Sequence, residues 1–148
     1  MAFSEYTIRD FQANDMPGML DLWQSTDLGN ANRGDNLEII QNTLQNGGRL
    51  LLIIQNETNK VIGSSWITND HRRLYLHHFG ILPQFQGKGL GKWLCIESLK
   101  WARSVGLQIK LEVHKNNQKA LALYKSLGFG FLGDYDVYII RDYKNLNL

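Results

Sequence analysis

Cysteine is nearly missing from this chain: Cys95 stands alone among 148 residues. An internal disulfide is excluded, which fits a reducing, cytoplasmic setting. Cys95 falls inside a helical pattern and reads as a small packing residue rather than a reactive thiol. Long apolar runs are also missing. Nothing approaches the roughly 20 residues that a membrane span needs, so no membrane association is expected. The first residues, Met1-Ala2-Phe3-Ser4-Glu5, lack the basic region and apolar core of a signal peptide. Excess charge is absent too. The net charge is +2, and the densest basic cluster is only His71-Arg72-Arg73. A dedicated nucleic-acid binder would carry a dense basic face, so that class is set aside. There is no internal repeat, low-complexity tract or linker.

What is present suits one layered α/β domain over residues 1–148, with 43% apolar and 20% charged residues. Tyr6 to Phe11 reads as a first strand. Met16, Met19, Leu20 and Trp23 follow at i, i+3, i+4 and i+7, the spacing of one helical face. Pro17 belongs in the first turn of that helix. Asp27 to Asp35 reads as a loop and about Asn36 to Gln45 as a second helix, ended by Gly47-Gly48. Leu50 to Gln55 and Lys60 to Ile67 read as a hairpin, and Arg73 to Ile81 as the next strand. A long helix is predicted from Leu90 to Val105, ended by Gly106. Ile109 to Val113 is a strand and Gln118 to Leu127 a helix. Phe129 to Leu132 and Val137 to Arg141 are predicted as closing strands.

The most informative stretch is Gln86-Gly87-Lys88-Gly89-Leu90-Gly91, which joins a strand to the long helix. Its glycines let the backbone turn tightly with its N–H groups facing one way. The helix start adds unpaired amide donors and the positive end of a dipole. Together they form a cradle for an anion such as a phosphate. A nucleoside-triphosphatase loop needs Gly-x-x-x-x-Gly-Lys followed by Ser or Thr. A dinucleotide fingerprint needs Gly-x-Gly-x-x-Gly. Here Lys88 lies between the glycines, and Lys92-Trp93-Leu94 supplies no third glycine at the right spacing.

Two segments taken together resemble the GNAT superfamily of acetyl-CoA-dependent N-acetyltransferases. One is Ile81 through Gly91, where Gln86-x-x-Gly89-x-Gly91 is similar to the family's acyl-CoA pyrophosphate loop. The other is Leu111-Glu112-Val113-His114-Lys115-Asn116-Asn117, continuing through Ala120 to Tyr124 and Gly128-Phe129. Asn117 and Tyr124 resemble the Asn and Tyr of the family's second motif, and Leu127-Gly128-Phe129 its helix end. The resemblance implies a single-domain fold with a mixed, mostly antiparallel sheet flanked by helices and a splayed central strand pair. It implies transfer of an acetyl group from acetyl-CoA to a primary amine by direct attack on the thioester. A non-catalytic acyl-CoA binding module of the same fold is the alternative. Acetyl-CoA is the expected cosubstrate, with no metal. The acceptor is a small-molecule or peptide amine, and a homodimer is compatible with the family.

On this resemblance Tyr124 is the general acid. The cofactor-binding residues are Phe79, Gly80, Ile81, Leu82, Gln86, Gly87, Lys88, Gly89, Leu90, Gly91, Lys92, Asn117 and Tyr124. A strand bulge is expected around Phe79 to Leu82, with Gly80 marking it. Regular alternation places Tyr75, His77, Phe79 and Ile81 on one face and His78 on the other. His77 is the first choice of base, since an unperturbed histidine titrates near 6.5. Glu112 is the second. The resemblance places the acceptor against the first helix pair with its loop, roughly Trp23 to Arg33, and the last strands, roughly Gly133 to Tyr138, with Trp23, Asp27, Tyr75, Glu112 and Tyr138 as candidate contacts. Asp134, Tyr135 and Asp136 lie in the same region.

Overall fold

The computed structural model describes residues 3–28 and 34–147. Part of the expected loop, residues 29–33, lies outside them. The strands are β1 (Tyr6–Asp10), β2 (Arg49–Gln55), β3 (Lys60–Asn69), β4 (Leu74–Ile81) and β5 (Ile109–Leu111). The helices are α1 (Met16–Ser25), α2 (Leu37–Gln45), α3 (Leu90–Val105) and α4 (Gln118–Ser126). The strands lie side by side in chain order. β1 to β4 are joined antiparallel, and β5 runs parallel to β4. This is the mixed α/β sheet expected from the sequence.

Residues Leu50 to Ile54 in β2 are all buried, because both faces of the sheet are covered. On one face α1 contributes Met19, Leu22 and Trp23 at i, i+3 and i+4. The buried stripe includes Leu22, whereas Leu20, expected on it, is 40% exposed. On the other face α3 buries Leu90, Leu94, Cys95, Ser98 and Ala102. Each fully buried leucine of this kind contributes about 1.5–3 kcal/mol. Alternation along β3 divides its side chains between the two layers. Ser64 and Trp66 face α1 and α2, where the Trp66 indole N–H donates to Thr43 Oγ1 at 2.9 Å. Ser65 faces α3 and shares a hydrogen bond with Ser98 at 2.7 Å.

The sequence-predicted closing strands do not form. Phe129 to Leu132 and Val137 to Arg141 carry no strand pairing, and the sheet ends at β5 among the described residues. Phe131 and Tyr138 are each 90% exposed. An apolar, β-branched segment becomes a strand only when an edge is there to pair with it. β5 is three residues long, and no ladder extends outward from it.

Ser64 is the buried link between the α1 layer and β4. It accepts from the Trp23 indole N–H at 2.9 Å and donates to the His78 carbonyl at 2.6 Å. Its removal leaves a buried donor and a buried acceptor without partners, each costing about 1–3 kcal/mol. Ser64→Ala is therefore expected to lower unfolding free energy by about 2–4 kcal/mol in urea. A change below about 0.5 kcal/mol, the range of an ordinary surface substitution, would contradict this reading of Ser64.

Candidate active site

The site begins with an irregularity in β4. Ser64 pairs with Gly80 and Trp66 with His77, so Ser65 alone stands opposite His78 and Phe79. This is a β-bulge, in which one extra residue on β4 bends the strand. The bulge comprises His78 and Phe79, so it meets the expected span at Phe79 and begins one residue before it; Gly80 is paired with Ser64 and is not its marker. His78 itself takes the left-handed conformation, with φ at 45°. A non-glycine residue there stores about 1–3 kcal/mol of strain, which the Ser64 bond to its carbonyl opposes. Gly80 meets a packing need instead: a Cβ there would stand 2.7 Å from Leu28 Cδ1.

The bulge also corrects the expected facing of the histidines. With an extra residue inserted, His77 and His78 both turn toward the α1 and α2 layer. The His78 ring lies 4.3 Å from Trp23 and 5.1 Å from Trp66, while His77 lies 6.0 Å from Trp66. His78 Nε2 stands 2.9 Å from a carboxylate oxygen of Asp35, the residue two before α2. Phe79 turns the opposite way, to Tyr124 of α4, with ring centroids 5.9 Å apart.

β4 then parts from β5. Only Leu74 to Leu76 pair with β5, so the edge of β4 from His77 to Ile81 has no β5 neighbour. The gap is a cleft of about 560 Å³. One wall is β4 from Tyr75 to Ile81. The opposite wall is Leu111 to His114 with Asn117 and Tyr124, and one end is the glycine loop. This is the splayed strand pair expected above.

The glycine loop has the geometry of an amide cradle. Gly87 and Gly89 have φ of 78° and 82°, where a Cβ would strain the chain. Gly89 caps α3, and the amides of Leu90, Gly91 and Lys92 open the helix without intrahelical acceptors. The Gln86 side chain donates to the Ile81 carbonyl at 2.9 Å, so it ties the loop to β4. Lys88 lies over the Phe85 ring at 5.4 Å, and Lys92, rather than Lys88, lines the cleft.

Tyr124 lies on the buried face of α4, between Phe79 and Phe129. Burial, reinforced by Cys95, raises its phenol above the usual tyrosine range, so it stays protonated. Asn117 caps α4 by accepting from the Ala120 amide at 3.2 Å. Tyr75 stacks on His77 at 4.2 Å and faces Glu112 on the opposite wall of the cleft. Burial and that carboxylate raise the Tyr75 phenol as well. His77 shares a 2.8 Å hydrogen bond with Thr68.

The remaining candidates are dispersed. Trp23 is buried in the core, against His78 rather than in the cleft lining. Asp27 is exposed, with φ at 57°, and lies outside that lining. Tyr138 projects from the unpaired C-terminal segment. Sequence reasoning passed over Leu28, His114 and Lys119, which line the cleft, and Asp35, which reaches it only through His78. The motif spacing already placed His114 and Lys119 beside Asn117; nothing local pointed to Asp35. Among the described residues no group of three His, Cys, Asp or Glu side chains is placed to hold a metal.

Burial lowers the His77 pKa to about 4, with the neighbouring His78 adding to the effect. The unfolded chain therefore takes up the proton first. The stability gained from burying neutral His77 is complete above its ordinary value near 6.5 and is lost as pH falls toward 4. Between pH 7 and pH 4 the wild type should lose about 2–3 kcal/mol more stability than His77→Gln. Parallel losses in the two proteins, read from urea unfolding across that range, would contradict the assignment.

Residues 16–129 match the family model described as Acetyltransferase (GNAT) family. The chain is 45% identical over 58 residues to the N-alpha-acetyltransferase RimI of Mycobacterium tuberculosis, covering 39% of this chain and 35% of that protein. It is 37% identical over 86 residues to a mycothiol acetyltransferase of Renibacterium salmoninarum, covering 53% of this chain and 25% of that protein. These matches thus span about a third or less of the relatives' own lengths. In fold the chain is similar to an acetyltransferase from Streptococcus agalactiae, with a TM-score of 0.79, 23% identity and 93% of each chain covered. With the match running from the start of α1 to Phe129 and a shared fold beneath it, the chain belongs to the GNAT acetyltransferase family.

Proposed function

We propose that residues 1–148 form one N-acetyltransferase domain that moves an acetyl group from acetyl-CoA to a primary amine. The observation that carries this reading is the continuity of one cleft. An unpaired strand edge, His77 to Ile81, runs into the amide-rich start of α3. A donor with an extended amide-containing arm and a pyrophosphate matches both parts. The arm can pair with the β4 edge as a strand would. The pyrophosphate suits the Leu90 to Lys92 amides, the helix dipole and the Lys92 ammonium. Bound there, acetyl-CoA supplies an acyl group activated as a thioester.

The chain's own residues supply the rest. Backbone amides left without a β5 partner along the bulged β4 edge would stabilise negative charge on a carbonyl oxygen in the cleft. Tyr124 keeps its proton at neutral pH and can deliver it to a departing sulfur. Asn117 fixes the start of α4, and hence the height at which Tyr124 enters the cleft. His77 becomes a weak base once burial lowers it to about 4, and its Nε2 is engaged by Thr68. Glu112 is the better candidate to take the acceptor's proton, directly or through a water, because its carboxylate lines the cleft beside Tyr75. The burial of His77 thus reverses the order of bases that its ordinary pKa suggested. Among the described residues no helix is long and apolar enough to cross a membrane.

A thiol-release assay with a panel of amines, paired with calorimetric titration of CoA, tests this reading. Tyr124→Phe should lower kcat by about 10²-fold and leave the Kd for CoA within about twofold. Glu112→Gln should lower kcat/KM by a similar factor while leaving the Kd for CoA within about twofold. Tight CoA binding by the wild type without thiol release for any amine would favour a binding module.

A further inference from the structure

The residues that lead into β1 grip the glycine loop from outside the cleft. The Phe3 ring stacks on Trp93, in the first turn of α3, with centroids 4.8 Å apart and planes 8° from parallel. The same ring stands 3.5 Å from the place that a Cβ on Gly89 would occupy, so it covers one side of that positive-φ residue. Tyr6 meets the entry to the loop, edge-on to Phe85 at 6.3 Å. The Tyr6 amide donates to the Phe3 carbonyl at 2.9 Å, which closes residues 3–6 into a turn. Asn56, just after β2, fastens this turn. Its amide donates to the Glu5 carbonyl at 2.9 Å and its side chain to the Ser4 carbonyl at 3.0 Å. The Thr7 hydroxyl donates to the Asn56 side chain at 2.7 Å. Neither Phe3 nor Tyr6 lines the cleft.

The loop needs such a hold. Gln86 to Gly89 are all exposed, and a Cβ on Gly87 would meet nothing within 4 Å. Glycine-rich backbone loses much conformational freedom when it is ordered. In an unheld loop that cost falls on anion binding, whereas a loop ordered beforehand avoids it. The Gln86 bond to Ile81 fixes only the start of the loop. From this arrangement, and resting on the reading of acetyl-CoA as donor, we propose that Phe3 and Tyr6 clamp the loop in its anion-binding shape and so set the affinity for the donor's phosphates. Both are positioning residues. They act through Gly89, Trp93 and Phe85 and touch no reacting atom. The clamp favours bound donor and transition state alike, so its loss raises KM and leaves kcat unchanged. A donor without phosphates makes no use of the loop and is indifferent to the clamp.

The test compares two donors in thiol release, acetyl-CoA and S-acetylpantetheine, which keeps the arm and thioester but has no phosphates. Calorimetric titration of CoA accompanies it. Phe3→Ala should raise the Kd for CoA and the KM for acetyl-CoA by about five- to tenfold with kcat unchanged, the effect of a competent loop reduced to about a fifth or a tenth of the population. Its kcat/KM for S-acetylpantetheine should stay within about twofold of the wild type. Phe3→Tyr, which keeps the stack, should bind CoA as the wild type does. Asn56→Ala, which touches neither loop nor ring stack, should weaken CoA in the same direction. Ile40→Val, in the buried face of α2, is a control for lost stability and should leave both donors unchanged. An unchanged Kd for CoA in Phe3→Ala would overturn the proposal. So would an equal loss with S-acetylpantetheine, or the same loss in Ile40→Val. A wild type that does not bind CoA would sink the donor reading instead. Hydrogen exchange at the Trp93 amide, which donates to the Gly89 carbonyl at 3.1 Å, would then decide the clamp alone. Faster exchange in Phe3→Ala supports it, and an equal rate overturns it.

Discussion

The hydroxyl of Ser64 sits where the structure divides into scaffold and site. It accepts from Trp23 on one side and donates to the His78 carbonyl on the other. Through it the α1 layer holds β4 in a conformation that β4 would not keep unaided, with His78 at positive φ. Much of the site's geometry follows from that one held bulge. It turns both histidines toward α1 and α2 and sends Phe79 toward Tyr124. It also lies at the point where β4 leaves β5. A regular strand there would return His78 to the opposite face. Strain of about 1–3 kcal/mol is small beside a core in which β2, α1 and α3 each bury several large apolar side chains.

The same burial sets the chemistry. Trp66, Thr68 and Tyr75 enclose His77, and the enclosure that orders it also makes it a poor proton acceptor. Burial acts in the opposite direction on Tyr124, where it preserves the proton. One physical term, the cost of charge away from water, thus lowers a histidine and raises a tyrosine that line the same cleft. Glu112, the carboxylate among the described residues lining the cleft, is the base in the transfer we propose.

Local features were legible in the sequence. Glycines at Gly87 and Gly89 announced a turn with positive φ, and the helix that follows begins at Leu90 as its spacing predicts. Asn117 and Tyr124, seven residues apart, stand at the cap and the buried face of one helix. What was not legible depends on partners distant in the chain. The bulge at His78 needs a hydroxyl from β3, and counting alternate residues along β4 cannot reveal it. The neutral state of His77 needs an enclosure built by two other strand residues, Trp66 and Thr68. The apolar segment after Phe129 carries strand composition, but the sheet stops at a three-residue β5. Composition along one segment says nothing about whether an edge exists to receive it.

The central claim is that acetyl-CoA lies along the unpaired edge of β4 with its phosphates on the start of α3. Amide hydrogen exchange with and without acetyl-CoA tests it most directly. The account predicts slowed exchange over His77 to Ile81 and Leu90 to Lys92, with α2 and the C-terminal segment unchanged. A second cavity of about 570 Å³, beside Arg9, Asp15 and Lys60, lies away from this edge. Protection there, with the β4 edge exchanging as before, would contradict the account.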